Sequence, residues 1–302
     1  MLTIFSIPKP FEGHINIIQR NAIKSWTMLD PGVEVILFGE EEGVASAARE
    51  LGVRHEPQVN RNEFGTPLLD SVFDRAQEIA RYPLVCYVNC DMLLLNDFCA
   101  AASRVAAWRP HFLMAGRRWD TDITELIDFS KLDWRDQLRN LALSTNKQRP
   151  PCWIDYFMFP RGQYYHKVPP FAVGRPGWDQ WMIWYTRSTK IPVVDASRSV
   201  MAVHQNHDYA HVPRGFQGVM EGEEAKINAA LLGDSRRLFT TEHAQYQLDK
   251  GGPKWSFRRL LVDSKPLRTR IWFALLGATR PVRHALGLRK RRVAETHPVA
   301  SH

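Results

Sequence analysis

The sequence predicts an α/β fold: a mostly parallel central sheet flanked by helices, with a basic helical C-terminal tail. Three observations carry this. Over about the first hundred residues, apolar segments of strand length alternate with segments of helical periodicity. Gly, Pro and Asp punctuate the joints between them. The run LVCYV (84–88) reads as a buried strand, the form strands take when both faces of a sheet are covered.

Each element follows in order. LTIFSI (2–7) is a short strand and PKPFEG a Pro/Gly loop. Ile15, Ile18, Ala22, Trp26 and Leu29 then recur at helical spacing until DPG stops the helix. VEVILFG (33–39) is a second strand, ended by Gly39 and the run Glu40, Glu41, Glu42. VASAARELG is a helix closed by Gly52, and VRHEPQV fits a short third strand. The next helix is expected to start with Thr66 as N-cap and Pro67 in its first turn. Its apolar face is Leu68, Leu69, Val72, Phe73, Ala76 and Ile79, and the strand 84–88 follows. Beyond residue 100 the alternation breaks. HFLMAG (111–116) is a strand, 122–150 a polar and partly helical insertion, and WIDYFMFP (153–160) another strand. GRPGWDQWMIWYT runs from a turn into an aromatic helix, and IPVVDAS and SVMAVHQNHDYAH supply two more strand-like pieces.

Charge is unevenly placed. The net charge is +8, but residues 254–302 hold 12 Lys or Arg against Asp263 and Glu295, so the tail carries +10 and residues 1–253 carry −2. A basic tail mixing Arg with Trp, Phe and Leu over 254–292 has three readings: an amphipathic helix on an anionic membrane surface, a helix packed on the body with a solvated basic face, or a disordered end; nucleic acid is the weaker match. The N-terminus does not read as a signal peptide, and the longest apolar stretch, IWFALLGA, falls well short of a membrane span. Cys86, Cys90, Cys99 and Cys152 form no C-x-x-C pair and read as buried reduced thiols. The expected location is cytoplasmic, with membrane association through the tail left open as an option.

The chemistry starts at Asn89 and Asp91, two residues apart at the end of the buried strand. Ligands of parallel sheets bind at the carboxyl ends of strands, and a carboxylate there is costly unless paired or bound to a metal. No G-x-G-x-x-G or G-x-x-x-x-G-K-[ST] pattern is present, which argues against a dinucleotide or P-loop site. A divalent metal, Mg²⁺ or Mn²⁺, can neutralise a diphosphate instead, with Asp91 as its carboxylate ligand. A simple turn-capping Asp is the other reading of Asp91.

YVNCDMLL resembles the D-x-D region of GT-A-fold glycosyltransferases of the bacterial family 2 type, with Asn89 in place of the first acid. TIFSIPKPF and EVILFGEEEG are similar to the first two nucleotide-binding strands of that family. GWDQW resembles its acceptor-side acidic motif, and AVHQNHDYAH its late metal-site His. The ordered set spans roughly residues 1–215. The resemblance implies a GT-A-like catalytic domain over 1–253, with a nucleotide-binding half to about 120 and an acceptor half beyond. It implies transfer of a sugar from a nucleoside diphosphate sugar to a glycan, lipid-linked or other hydroxyl acceptor, with Mn²⁺ or Mg²⁺. Asp91 then binds the metal and Asn89 the donor. Glu40 or Glu41 faces the base. Pro8, Lys9 and Phe11 line the nucleotide pocket, and Arg61 and Asn62 approach the donor.

Asp179 sits between Trp178 and Trp181. Partial desolvation there raises a carboxyl toward the range of a general base, and the indoles suit sugar faces; helix capping is a compatible alternative. His204 or His207 supplies a nitrogen ligand beside Asp91, which favours Mn²⁺ over Mg²⁺, while His211 reads as a surface residue. A zinc hydrolase is the rival, without an H-E-x-x-H to support it. Asp155 either holds the acceptor hydroxyl or bonds neighbouring backbone. Arg117, Arg118 and Asp120 follow a strand and either reach toward donor sugar or phosphates or form a solvated charged turn. Two other functions stay open: a nucleotidyltransferase, for which SIPKPFEGH is a poor opening loop, and a non-catalytic carbohydrate- or nucleotide-binding module, which Asn89 would favour.

Overall fold

The computed structural model describes residues 1–29, 32–208 and 215–257. The first half alternates as expected: β1 (Leu2–Ser6), α1 (Gly13–Thr27), β2 (Glu34–Phe38), α2 (Val44–Leu51), β3 (Arg54–Glu56), α3 (Leu69–Ile79) and β4 (Leu84–Val88). Then come β5 (Met92–Leu93), α4 (Asp97–Trp108), β6 (Leu113–Thr121), α5 (Trp134–Thr145), β7 (Ile154–Pro160), α6 (Trp178–Ser188), β8 (Val193–Asp195) and β9 (Ala202–Gln205). Two helices, α7 (Gly215–Glu221) and α8 (Glu223–Leu232), precede the closing hairpin of β10 (Tyr246–Asp249) and β11 (Gly252–Trp255).

The strands form one sheet in the order β11-β10-β8-β6-β7-β4-β1-β2-β3, with β9 branching from β6 and carrying β5. The β1, β2, β3 and β4 pairings are parallel, as are β6 with β8 and β9, and β8 with β10. β7 runs antiparallel between β4 and β6. Alternate side chains feed two cores. Ile4, Cys86 and Val88 face α1, α2 and α4 through Ala22, Trp26, Val44 and Phe98. Phe5, Val85 and Tyr87 face α3 and α6 through Phe73, Trp178 and Met182. Because both faces are covered, β1 and β4 can be apolar at nearly every position.

Three departures from the sequence reading have physical causes. α3 begins at Leu69 rather than in the Thr66–Pro67 turn. The backbone of 66–68 is spent elsewhere: Asn62 donates to the Thr66 carbonyl, Val173 to the Pro67 carbonyl, and Leu68 N–H to Asn60. β6 continues to Thr121, so Arg117, Arg118 and Asp120 lie within a strand, where they alternate between faces. The basic tail starts as strand, since Lys254 and Trp255 belong to β11; the helix expected of it, and His211, lie outside the described residues. Among the described residues no helix is long and apolar enough to cross a membrane. All four cysteines are free, with Cys86 and Cys90 buried and Cys99 and Cys152 half-buried.

Phe73 ties α3 to the sheet. Its ring meets Phe5 edge-on at 5.2 Å, and stacks on Tyr87 at 5.6 Å and Phe159 at 5.8 Å. Phe73→Ala is expected to cost about 3–5 kcal/mol, read as a lowered midpoint in urea denaturation followed by tryptophan fluorescence.

Candidate functional site: a metal-ligand cluster at the end of β4

The apolar residues after Asp91 are a second strand. β4 ends at Val88, and Asn89 N–H closes its last rung on β7 by donating to the Asp155 carbonyl at 2.9 Å. Met92 N–H folds back on the Asn89 carbonyl at 3.1 Å, making a tight turn with Asp91 inside it. Met92 and Leu93 then pair antiparallel with His204 and Val203 of β9. Leu93, Leu95, Trp134, Leu138, Met201 and Val203 form a third apolar cluster that holds this pairing. Gln205 fastens the turn from the other side, donating its N–H and its side-chain amide to the Asp91 carbonyl at 3.2 and 3.1 Å.

That register brings two imidazoles to Asp91. Its Oδ2 lies 3.2 Å from His207 Nε2 and 3.6 Å from His204 Nε2. Asp91 Oδ1 is buried with no hydrogen-bond partner. Burial alone would raise the Asp91 carboxyl, but His204, His207 and Lys9 together hold it well below its ordinary value. Burial is also the largest influence on His204 and keeps its imidazole below its ordinary value, against the opposite pull of the Asp91 carboxylate. His204 Nδ1 faces Asp120 Oδ1 at 3.6 Å, because Asp120 is its cross-strand partner on β6.

The candidate ligand atoms of Asp91, His204 and His207 lie within 4.8 Å of one another. An ionised carboxylate with an orphaned oxygen, converging with two imidazoles, fits a divalent cation; the nitrogen content suits Mn²⁺ better than Mg²⁺. Both histidines take part in the cluster, where the sequence reading left a choice between them.

Behind the cluster lies a buried charge network. Arg118 Nη1 contacts both Asp155 oxygens at 3.0 Å, and its Nε donates to Asp120 Oδ1 at 2.9 Å. Asn89 Nδ2 donates to Asp155 Oδ1 at 2.7 Å. All three charged residues are no more than 7% exposed. Arg118 and Arg149 both lie over the Trp153 ring, at 4.6 and 4.3 Å. Arg117, one residue along, points to the other face and donates to the Arg149 and Gln148 carbonyls.

A cavity of about 590 Å³ opens beside these groups. Asn89, Asp91, Arg118, Asp155, His204 and His207 line one part of it, with Pro8 and Lys9 from the loop after β1. Asp179 lines another part, at the start of α6, where Gly177 takes the left-handed conformation (φ 101°) that turns the chain into the helix. Burial pushes the Asp179 carboxyl up to about 7; backbone N–H groups, Gln180 foremost, pull against it, and the nearby Asp155 charge adds to it.

Other expected residues stand elsewhere. Glu40 is exposed, and its neighbour Glu41 lines the cavity, pairing with Arg61 at 2.9 Å. Gly39 makes this possible: at φ +102° any Cβ there would collide with the Glu41 carboxylate. Arg61 is thus one step back from the cavity, supporting Glu41 and bonding the Gly65 carbonyl at 2.8 Å. Asn62 caps its own loop at Phe64 and Thr66 and donates to Glu224 at 2.7 Å. Phe11 packs on Gly43 and under Arg20. Trp181 offers no sugar-stacking face, being 4% exposed, stacked on Tyr185 at 4.8 Å and edge-on to Phe171. Trp178 reaches the cavity wall, but its ring is engaged by Tyr87 and Phe157.

Several lining residues escaped the sequence reading. Arg175, within the Gly/Pro turn before α6, lines the cavity and pairs with Glu224 of α8. Glu224 also receives Asn62, so one carboxylate joins three segments. Phe216, Val219 and Met220 of α7 line the cavity as well, at a spacing that reads as one helix face. Phe64 lines it from the loop before α3.

No protein-family model matches the chain, and no curated protein matches it. Solved structures do. Glucosyl-3-phosphoglycerate synthase of M. tuberculosis is 15% identical with a TM-score of 0.45, covering 79% of this chain and 80% of that one. Its complex with Mg²⁺ and uridine diphosphate is 16% identical with a TM-score of 0.43, covering 79% of each chain. S. aureus TarS 1-349 is 9% identical with a TM-score of 0.40, covering 68% of this chain and 58% of that one. At such distances the chemistry of the site is read from its own side chains.

Asp155 balances a buried cation. Asp155→Ala leaves Arg118 with only part of its counter-charge and is expected to destabilise the fold by about 3–5 kcal/mol. Thermal and urea denaturation measure this, and Asp155→Asn, which keeps hydrogen bonding, should lose less.

Proposed function

We propose that this chain is a metal-dependent glycosyltransferase that moves a sugar from a nucleoside diphosphate sugar to an acceptor hydroxyl. The observation that carries the reading is the opening of two chemistries into one cavity: the Asp91, His204 and His207 ligand cluster, and the Asp179 carboxyl poised near neutrality. A divalent cation held by the cluster supplies positive charge against a departing diphosphate.

The chain's own residues do the rest. Asp179, when ionised, accepts the proton of the acceptor hydroxyl. The freed oxygen bonds to the anomeric carbon as the bond from that carbon to the phosphate oxygen breaks, and the electron pair leaves with the nucleoside diphosphate. A base with a pKa near the working pH transfers protons well in both senses, and burial provides that value here. Glu41, paired with Arg61, accepts an N–H of the nucleobase in this reading; its place in the cavity lining supports that role. Arg118, Asp155 and Asn89 keep the floor of the cavity rigid and its charge paired, so that Asp91 stays directed at the cation.

Donor hydrolysis without acceptor tests the reading first. With Mn²⁺ and a panel of UDP-, GDP- and ADP-sugars, slow hydrolysis of one donor class is expected; none with any donor would favour a binding module. Asp179→Asn should lower kcat by about 100-fold or more while nucleotide affinity is kept. The sign of the pH effect follows from the base role: the active form is the carboxylate, so kcat falls as pH drops through about 7 and is flat above it. A kcat that rises on acidification contradicts Asp179 as base.

A further inference from the structure

Among the described residues three cations, Arg or Lys, line the cavity walls, and two have partners. Arg118 is paired with Asp155 and Asp120, and Arg175 with Glu224. The third is Lys9. Its amine makes no hydrogen bond or ion pair with any described residue; burial lowers its pKa from the ordinary lysine value, Arg175 adds to that, and Asp91 pulls the other way, toward the ammonium. A cation that lines a cavity without a partner is costly unless an anion arrives to meet it.

Lys9 is also held in place. Gln19, 2% exposed on α1, grips its backbone at both ends: Lys9 N–H donates to Gln19 Oε1 at 2.6 Å, and Gln19 Nε2 donates to the Lys9 carbonyl at 2.9 Å. A buried amide spent on one residue of a loop gives that residue a fixed position, which binding then need not establish. Lys9 lies between Pro8 and Pro10, and the turn thus has little freedom at either side.

We propose that Lys9, positioned by Gln19, is the direct anchor for the diphosphate of the donor, sharing its charge with the cation at Asp91. The inference rests on the transferase reading above and assigns the half of the neutralisation that the metal does not supply. The charges support it. A divalent cation and Asp91 leave one positive charge, because position 89 is an amide and adds none. The ammonium of Lys9 adds one more, and the two negative charges of a nucleoside diphosphate sugar bring the site to neutrality. A metal with Asp91 alone would leave the diphosphate half neutralised. Lysine serves here as a compact point charge able to follow the phosphates.

Inorganic pyrophosphate is the probe, since it needs no knowledge of the base. Calorimetric titrations compare wild type, Lys9→Met and Lys9→Gln, first with Mn²⁺ alone and then with pyrophosphate at saturating Mn²⁺. Methionine and glutamine nearly preserve the side-chain length, and unliganded melting curves check folding. Mn²⁺ binding is expected to persist in both variants. Pyrophosphate affinity is expected to fall by about tenfold or more in each, the loss that follows from removing a hydrogen bond to a charged group. UDP and inorganic phosphate are titrated in parallel. Equal losses for pyrophosphate and UDP place the contact on the donor; a loss confined to phosphate assigns Lys9 to an acceptor anion and overturns the proposal. Unchanged pyrophosphate affinity in either folded variant also overturns it, leaving the transferase reading intact. Wild-type protein that takes Mn²⁺ but neither pyrophosphate nor any nucleotide removes both.

Discussion

The pairing of Met92 and Leu93 with Val203 and His204 sets everything else in the site. Without it, the chain leaving β4 would carry Asp91 into a solvated loop. With it, Asp91 is trapped between two strands and two imidazoles are delivered to its carboxylate. The cost of burying that carboxylate is met by an apolar cluster on the far side of the small sheet, where Leu93 and Val203 pack with Trp134 and Leu138. The insertion carrying α5 therefore has a function that its own sequence does not announce: it packs against the strand pair that makes the ligand cluster.

Charge balance is the second constraint. Asp91, Asp120, Asp155 and Asp179 stand around one cavity and its rear wall, and the fold treats them differently. Asp120 and Asp155 share Arg118 and are spent on it. Asp91 is held ionised by its imidazoles and Lys9. Asp179 receives backbone N–H groups but no ion pair from any described cation, so burial prevails and its carboxyl rises. One residue type thus supplies a structural counter-ion, a carboxylate held ionised and a carboxyl raised by burial, and environment alone separates them.

Much of this is legible in the sequence, for reasons that differ by residue. The placement of Asp91 at the cavity is legible because a carboxylate three residues past a buried strand stands at the carboxyl end of the sheet, where ligand clefts open. The placement of Asp179 at a helix start is legible because a Gly/Pro turn, an aromatic neighbour and a helical period coincide. The alternating elements to β4 are legible from period alone. What fails is whatever a distant segment decides. Thr66 and Pro67 carry the local signs of a helix start, but bridges to Arg61 and to the 172–173 segment claim that backbone. Glu40 and Glu41 are indistinguishable in sequence, and the left-handed Gly39 picks the second. Trp181 looks like a sugar platform until helix rotation turns it into the core beside Tyr185. Glu224 lies 49 residues from Arg175 and 162 from Asn62, so no local pattern marks it.

The central claim is that Asp91, His204 and His207 together hold a divalent cation to which a diphosphate adds. Pulsed electron paramagnetic resonance of bound Mn²⁺ tests it most directly. The expected spectrum shows nitrogen couplings from two imidazoles, one lost in His204→Ala and one in His207→Ala, with phosphorus couplings appearing when a nucleoside diphosphate is added. Mn²⁺ that binds without nitrogen couplings, or whose spectrum no nucleoside diphosphate alters, would contradict it.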